Sequence, residues 1–301
     1  MDDIIYINYL IESANDEAKL FEELLASDFQ ETKLLKENAD EFQIRLLQES
    51  TAEKIWNAIK TAWKKFYEML AKLFKTMAEK IKKLIYDIKA KFKKTNDKSA
   101  SDNKSDSNDD KSASDNKKVE ISVPDHDDSN SLDSLSAKMY DIAFEHERFF
   151  SILSEKVYTE EMWLTRFNID CEFEDLGKYF QTKYIENPKK FVIETDSDID
   201  KCAEYINRIL LDIQYSNIQF SKKFEDNAKT IEKEIDELKV SSDDFSSDEV
   251  VNINASFNTY RKVVSKITSC IIHITNSWSA SCTKAATELL KLKESINSSK
   301  N

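Results

Sequence analysis

Three aspartates, Asp196, Asp198 and Asp200, alternate along the chain as the first ligands of a calcium-binding loop do. Such a loop also needs a glycine at its sixth position and a bidentate glutamate at its twelfth. This chain has Lys201 and Asn207 there instead. The aspartates therefore predict the capped start of a helix, not a metal site.

Histidine and cysteine residues offer two more candidates for metal or acid–base chemistry. Cys270 and His273 share one face of a predicted helix, but no second pair follows at a zinc-like spacing. His146 lies between two glutamates, yet the sequence has no Glu-x-x-His pair of the di-iron type. We expect His146 to be structural, His273 to be buried and hydrogen-bonded, and Cys270 to be buried.

Composition argues against catalysis, because the chain has one glycine and two prolines in 301 residues. Phosphate-binding loops need glycines, and the sequence has neither such a loop nor a nucleophile elbow. It also lacks a cluster of histidine with paired carboxylates. The sequence therefore predicts a protein that is not an enzyme and that uses no cofactor or metal.

The same composition predicts an all-α fold, since sheet turns need Gly, Pro and Asn-Gly whereas Ser, Asp and Asn can join helices. Charge and periodicity divide the chain into an acidic helical segment (1–49), a long basic amphipathic helix (50–94), a disordered linker (95–131) and a helical bundle (132–298). The linker repeats Lys-Ser-Ala-Ser-Asp-Asn-Lys at 98–104 and 111–117 and has little apolar surface to bury. The bundle contains two long antiparallel helices, and residues 191–193 allow a short strand.

The basic amphipathic helix is the element that organises the chain. Its apolar residues recur every three or four positions from Trp56 to Phe92, which places them on one helical face. The spacing jumps by four after residue 70, a stutter that disfavours a long regular coiled coil. Thirteen lysines against four acidic residues give residues 51–94 a net charge of +9, whereas residues 1–49 carry −9.

This apolar face must be covered, because each large side chain contributes about 1.5–3 kcal/mol when buried. The first expectation is cover by the chain itself, with residues 1–49 lying along the helix, or by a partner protein. The alternatives are an anionic membrane and DNA, and the aromatic residues favour lipid. The candidate contacts are the aromatic Trp56, Trp63, Phe66 and Phe74 and the lysines Lys60, Lys64, Lys65, Lys72, Lys75, Lys82 and Lys83.

The charge reverses at Leu47-Gln48-Glu49-Ser50, which resembles the Leu/Ile-x-Glu sites that prohead proteases of large tailed bacteriophages cut before a small residue. Internal head proteins of such phages carry an N-terminal segment that directs them into the capsid and is removed there. The resemblance implies that residues 1–49 are a propeptide cleaved after Glu49. It also implies a non-enzymatic virion protein, packaged with DNA, whose partners are other virion or scaffold proteins.

The rival hypothesis is an intracellular helical scaffold or protein-interaction module in which residues 1–49 stay packed on the basic helix. The N-terminal Met1-Asp2-Asp3 lacks the basic start of a signal peptide, and the four cysteines show no paired spacing. Both features predict a reduced intracellular chain that is not secreted by a signal peptide. The resemblance to internal head proteins implies the capsid interior of the virion, and the alternative location is the host cytoplasm. The sequence leaves the oligomeric state open.

Overall fold

A computed structural model describes residues 51–101, 118–126, 155–240 and 247–299, with only the backbone given at several helix ends, including 51–59. In chain order the elements are α1 (Thr51–Ser101), β1 (Val119–Val123), α2 (Glu160–Arg166), α3 (Leu176–Tyr184), β2 (Lys189–Ile193), α4 (Asp196–Val240) and α5 (Ser247–Ser299). The all-α prediction is confirmed. The predicted segment 1–49 and the predicted helix containing His146 lie outside the described residues.

α1 packs against α4 over the most extensive contact between described helices. The two helices are antiparallel, because Tyr67 stacks on Phe224 whereas Phe74, one heptad later, contacts Phe220. Between the described rings of these two helices, Phe74 and Phe220 are the closest pair, with centroids 4.8 Å apart. The long basic helix is therefore part of the bundle and not a separate element.

α5 lies beside both of these helices. Trp63 of α1 stacks on Phe257, and Tyr67 lies against Tyr260, so α5 runs in the same direction as α1. α4 and α5 are consequently antiparallel, as the sequence predicted for the two long C-terminal helices. Aromatic rings fill the point where the three helices meet.

The stutter predicted for α1 is absent from its described side chains. The residues of the seam follow alternate steps of four and three: Trp63, Tyr67, Leu70, Phe74, Met77, Ile81, Leu84 and the partly buried Ile88. Tyr67 is fully buried and occupies the seam position that the spacing alone had assigned to Phe66. Tyr67 and Phe74, one heptad apart on this seam, contact Phe224 and Phe220 of α4, a spacing that suits packing between antiparallel helices.

The predicted linker 95–131 differs from the structure at both of its ends. α1 continues to Ser101, and residues 119–123 form β1, which pairs antiparallel with β2. In β1 the side chains of Ile121 and Val123 are buried, because alternate residues of a strand face the same side. The strand allowed at 191–193 is confirmed as part of β2, whose partner the sequence did not reveal.

Two short helices complete the described fold and pack on α5. The ring of Trp163 in α2 lies edge-on to Tyr260, and the indole N–H of Trp278 donates to the carbonyl of Tyr184 at the end of α3, at 2.7 Å. α2 ends where Asn168 adopts a positive φ of 52°, a conformation that asparagine tolerates. These contacts make α5 the central helix of the fold.

Candidate functional site

The aromatic residues predicted to contact a membrane lie in the core of the bundle. Trp63 is 0% exposed, and its ring centroid is 4.2 Å from that of Phe257 in α5. Phe66 is also buried and meets Phe257 edge-on, while Phe74 packs on two phenylalanines of α4. In this conformation none of the three can enter lipid. Trp56 is in α1, but its side chain lies outside the described part of the chain.

The expectation that the chain itself covers this face is confirmed, although the described cover differs from the expected one. Residues of α4 and α5 contact the aromatic side chains, whereas residues 1–49 lie outside the described part of the chain. The sequence could not reveal this cover, because the contacts join residues about 150–190 positions apart. Periodicity shows that a face is apolar but does not show which other face meets it.

The opposite face of α1 carries a row of exposed lysines, here called the lysine ridge. Its members are Lys65, Lys72, Lys75, Lys82, Lys83, Lys89, Lys93 and Lys94. Five of them are among the predicted contact residues, and the last three were omitted from that prediction. The predicted Lys60 and Lys64 are only half exposed and lie at the edge of the buried face.

The lysine ridge is strongly positive along its whole length. Only two acidic residues, Glu68 and Glu79, are exposed on the same face between Lys65 and Lys94. At about 1.5 Å per residue, the ridge extends for roughly 44 Å. Apart from Lys83, its lysines have no ion-pair partner within the described ranges. Fixed cations in such a row can attract a polyanion of matching length.

A second cluster of polar residues lies where β1 ends, in the predicted linker. His126 is buried, and its Nε2 is 2.6 Å from Oδ2 of Asp212 in α4. The backbone N–H of His126 donates to the hydroxyl of Tyr205, and its ring lies edge-on to Trp278. The alternation of Val119, Ile121 and Val123 was the only sequence signal for this strand. The pair fixes the strand end to α4.

The thiols of Cys202 and Cys282 are buried, and a thiol acts as a nucleophile only after it ionises. Burial raises the pKa of Cys202 to about 11, and it raises the pKa of Cys282 further. Both groups are therefore neutral thiols at physiological pH, which makes them poor nucleophiles and poor metal ligands.

Two of the aspartates that alternate like calcium ligands, Asp198 and Asp200, make structural contacts. Thr195 and Asp198 form a capping box, because the Asp198 carboxylate accepts from the Thr195 N–H at 3.0 Å and the Thr195 hydroxyl accepts from the Asp198 N–H. This hydrogen bonding lowers the pKa of Asp198, chiefly through the Thr195 side chain. The Asp200 Oδ1 atom lies 3.4 Å from Nζ of Lys293, with which it forms an ion pair. The prediction of helix capping is thus confirmed for Asp198, whose partner in the cap is Thr195.

The prediction for Cys270 and His273 is only half right. Cys270 is buried as expected, but His273 is exposed, so the prediction of a buried histidine is wrong. A helix that is buried around most of its circumference still leaves a narrow solvent-facing strip, and His273 falls on it. Within the described residues, no group of three or more His, Cys, Asp or Glu side chains could hold a metal ion.

Comparisons with known proteins add no relative. No protein-family model, curated protein or solved structure matches this chain. Among the described residues, no helix has the length and apolar character needed to cross a bilayer. The candidate functional site therefore depends on the geometry and charge of the lysine ridge.

Proposed function

We propose that this chain is a non-enzymatic helical-bundle protein that binds the phosphates of duplex DNA along its lysine ridge. The observation that carries the proposal is the division of α1 into two faces. Its aromatic face is buried against α4 and α5, and its lysine ridge faces solvent. A row of lysines on a rigid helix can neutralise successive phosphates without reading base sequence.

Duplex DNA is favoured over a membrane for a physical reason. An interfacial helix binds lipid by burying an apolar face while its lysines lie at the headgroups. In α1 the side chains that would be buried in lipid, Trp63, Phe66 and Phe74, are already packed in the bundle. Tyr86 is the one large apolar side chain that is well exposed on the described part of α1. Lysines alone suit a phosphate backbone better than a bilayer interior.

The net charge of the whole chain, −13, does not oppose this role, because the charge is segregated. A local positive row can bind a polyanion while the acidic remainder sets the orientation of the protein on it. Binding DNA in this way also agrees with the resemblance to internal head proteins, which are packaged with DNA. The virion assignment itself stays a prediction.

The proposal is tested by measuring the affinity of the full chain for a short duplex as a function of salt. Replacing Lys72, Lys75 and Lys82 by glutamine should weaken binding about tenfold or more at low salt. It should also reduce the slope of log K against log salt by about 2–3, roughly one for each phosphate that is no longer neutralised. These residues are exposed, so the fold should be retained, as circular dichroism would verify.

The matched control removes three exposed lysines outside the ridge, Lys222, Lys266 and Lys284. It has the same net charge as the ridge variant, and we expect its affinity and salt slope to stay near those of the parent. Equal losses in both variants would show a diffuse charge effect and reject the ridge as the site. Binding to anionic vesicles with no binding to duplex would reject DNA as the ligand.

A further inference from the structure

Tyr86 lies on the exposed face of α1, within the lysine ridge. Its side chain is 73% exposed, and among the described residues none forms a hydrogen bond or ring contact with it. Successive residues of a helix are about 100° apart around the axis, so Lys82, Lys83, Lys89 and Lys93 all lie within about 60° of Tyr86. These four lysines are exposed as well. Tyr86 is therefore an aromatic ring with cations before and after it on the same helical face.

Acidic side chains are sparse around this ring. Glu79 is the nearest exposed one on the same face, and it lies two turns, about 10 Å, before Tyr86. Asp87 follows Tyr86 directly, but it is only half exposed and lies about 100° away around the helix. The positive charge around the ring therefore exceeds the nearby negative charge. Such a surface attracts a ligand that combines negative charge with a flat apolar face.

Single-stranded DNA has both of these properties. Proteins that bind it place cationic side chains along the phosphates and stack aromatic side chains on the bases. An intact duplex offers a tyrosine ring much less, because its base faces are stacked on one another and only base edges reach the grooves. Along the lysine ridge, the ring of Tyr86 therefore gains a stacking partner only where a base is unpaired, as at a gap or an overhang.

Two other roles for Tyr86 fit these observations less well. An interfacial helix buries a broad apolar face in lipid, whereas the exposed residues next to Tyr86 on its face are lysines. A hydrogen bond from the Tyr86 hydroxyl to a phosphate is available on any DNA, but it makes no use of the aromatic ring. Replacement of Tyr86 by phenylalanine separates this hydrogen bond from stacking, because phenylalanine keeps the ring and lacks the hydroxyl.

We propose that Tyr86 stacks on an unpaired base while the surrounding lysines neutralise the adjacent phosphates, so that the ridge prefers DNA with a single-stranded gap to intact duplex. This inference rests on the proposed DNA binding and adds the class of DNA that is preferred. One stacked base should strengthen binding about fivefold to a hundredfold. Lysines alone would give no such preference, because a gap removes phosphates.

The test measures the affinity of the full chain for a short duplex and for the same duplex with a gap of several nucleotides in one strand. We expect the parent to bind the gapped duplex at least about fivefold more tightly. Tyr86→Ala should bring the ratio of the two affinities close to one. Tyr86→Phe should keep the ratio near that of the parent. Circular dichroism would verify that each variant is folded.

The matched control is Tyr215→Ala, which removes a tyrosine that is 57% exposed on α4, outside the lysine ridge. Its ratio of affinities should equal that of the parent. A direct readout comes from placing 5-iodouracil in the single-stranded gap, since this base crosslinks on irradiation to an aromatic ring stacked on it. We expect the crosslinked peptide to contain Tyr86.

The outcomes separate stacking by Tyr86 from duplex binding by the ridge. Binding to intact duplex with no preference for the gap would overturn stacking and leave duplex binding in place. A preference that survives Tyr86→Ala, or a crosslink to another residue or to none, would reject Tyr86 as the stacking residue. Loss of the preference in Tyr86→Phe would assign the contact to the hydroxyl. Tyr86-dependent binding to the gapped duplex alone would reject intact duplex as the ligand and support stacking, and binding to neither DNA would reject both proposals.

Discussion

The hydroxyl groups of Tyr67 and Tyr260 lie 3.2 Å apart at the point where α1 meets α5. Both side chains are fully buried, and burial raises the pKa of Tyr260 above its usual range, although the Tyr67 hydrogen bond opposes the shift. The Tyr260 hydroxyl is therefore neutral at any ordinary pH, and one hydrogen bond joins it to the Tyr67 hydroxyl. This bond fixes α1 in register against α5.

The first prediction concerns the energy of this bond. Tyr67→Phe and Tyr260→Phe should each lower the free energy of unfolding by about 1 kcal/mol, because each removes one partner of a buried hydrogen bond. The double variant should lose less than the sum, with a coupling of about 0.5–1.5 kcal/mol. Urea denaturation of the parent, the two single variants and the double variant measures this coupling energy. Strict additivity would mean that the two hydroxyls do not interact.

The second prediction separates the buried face of α1 from its exposed face. Trp63→Ala should lower the free energy of unfolding by about 3–5 kcal/mol, since it leaves a cavity against Phe257 and Tyr260. Tyr86→Ala removes an aromatic ring from the exposed face of the same helix and should change stability by no more than about 0.5 kcal/mol. Chemical denaturation of the two variants measures both changes in the free energy of unfolding. Similar small effects would indicate that Trp63 is not in the core.

How far the sequence predicts this fold can be judged from two neighbouring residues. Phe66 and Tyr67 are both aromatic, so periodicity alone could not decide which one occupies the seam. The structure buries both, because α1 packs on two helices at once. Phe66 packs against Phe257 of α5, and Tyr67 lies between Phe224 of α4 and Tyr260 of α5. The apparent stutter arose from assigning one face to a helix that has two partners. Helix identity and direction were predictable, whereas the pairing of faces was not.

The strand β1 and the lysine ridge both show that local sequence patterns do not predict which elements pack together. β1 is five residues long, and its partner β2 lies about 70 residues further along the chain. No local pattern in the Ser/Asp-rich region therefore indicated that the two strands pair. The lysine ridge was predictable, because lysine spacing on a helix depends only on local geometry. The exposure of the ridge to solvent was not predictable, because it depends on which face of α1 the other helices cover.

The third prediction is a pH dependence at the junction of α2 and α5. Lys262 Nζ lies 2.7 Å from Glu160 Oε1, and this hydrogen bond lowers the pKa of Glu160. A carboxylate with a depressed pKa in the folded state adds stability above its unfolded pKa, about 4.3. That contribution is lost as the pH falls through the lower, folded value.

Glu160→Gln should therefore be less stable than the parent at pH 7 by at most about 1 kcal/mol, because the pair is partly exposed. The difference should disappear as the pH falls below about 4. The control is Glu161→Gln, which changes an exposed neighbour in the same turn. Unfolding free energies measured across this range decide the matter, and a difference between parent and Glu160→Gln that stays constant with pH would contradict the assigned cause.

The last prediction concerns maturation, which the resemblance at Leu47 to Ser50 implies. Residues 1–49 carry a net charge of −9 in a chain of −13, so removing them leaves −4 without changing the lysine ridge. If the protein is an internal head protein, purified particles should contain a form that begins at Ser50. Mass spectrometry of particle proteins, with labelling of their N-termini, detects it directly. A packaged form that begins at Met1 would refute the propeptide, and absence of the protein from particles would refute the virion assignment. Neither result would affect DNA binding by the lysine ridge, because the ridge begins at Lys65, beyond the predicted cleavage position.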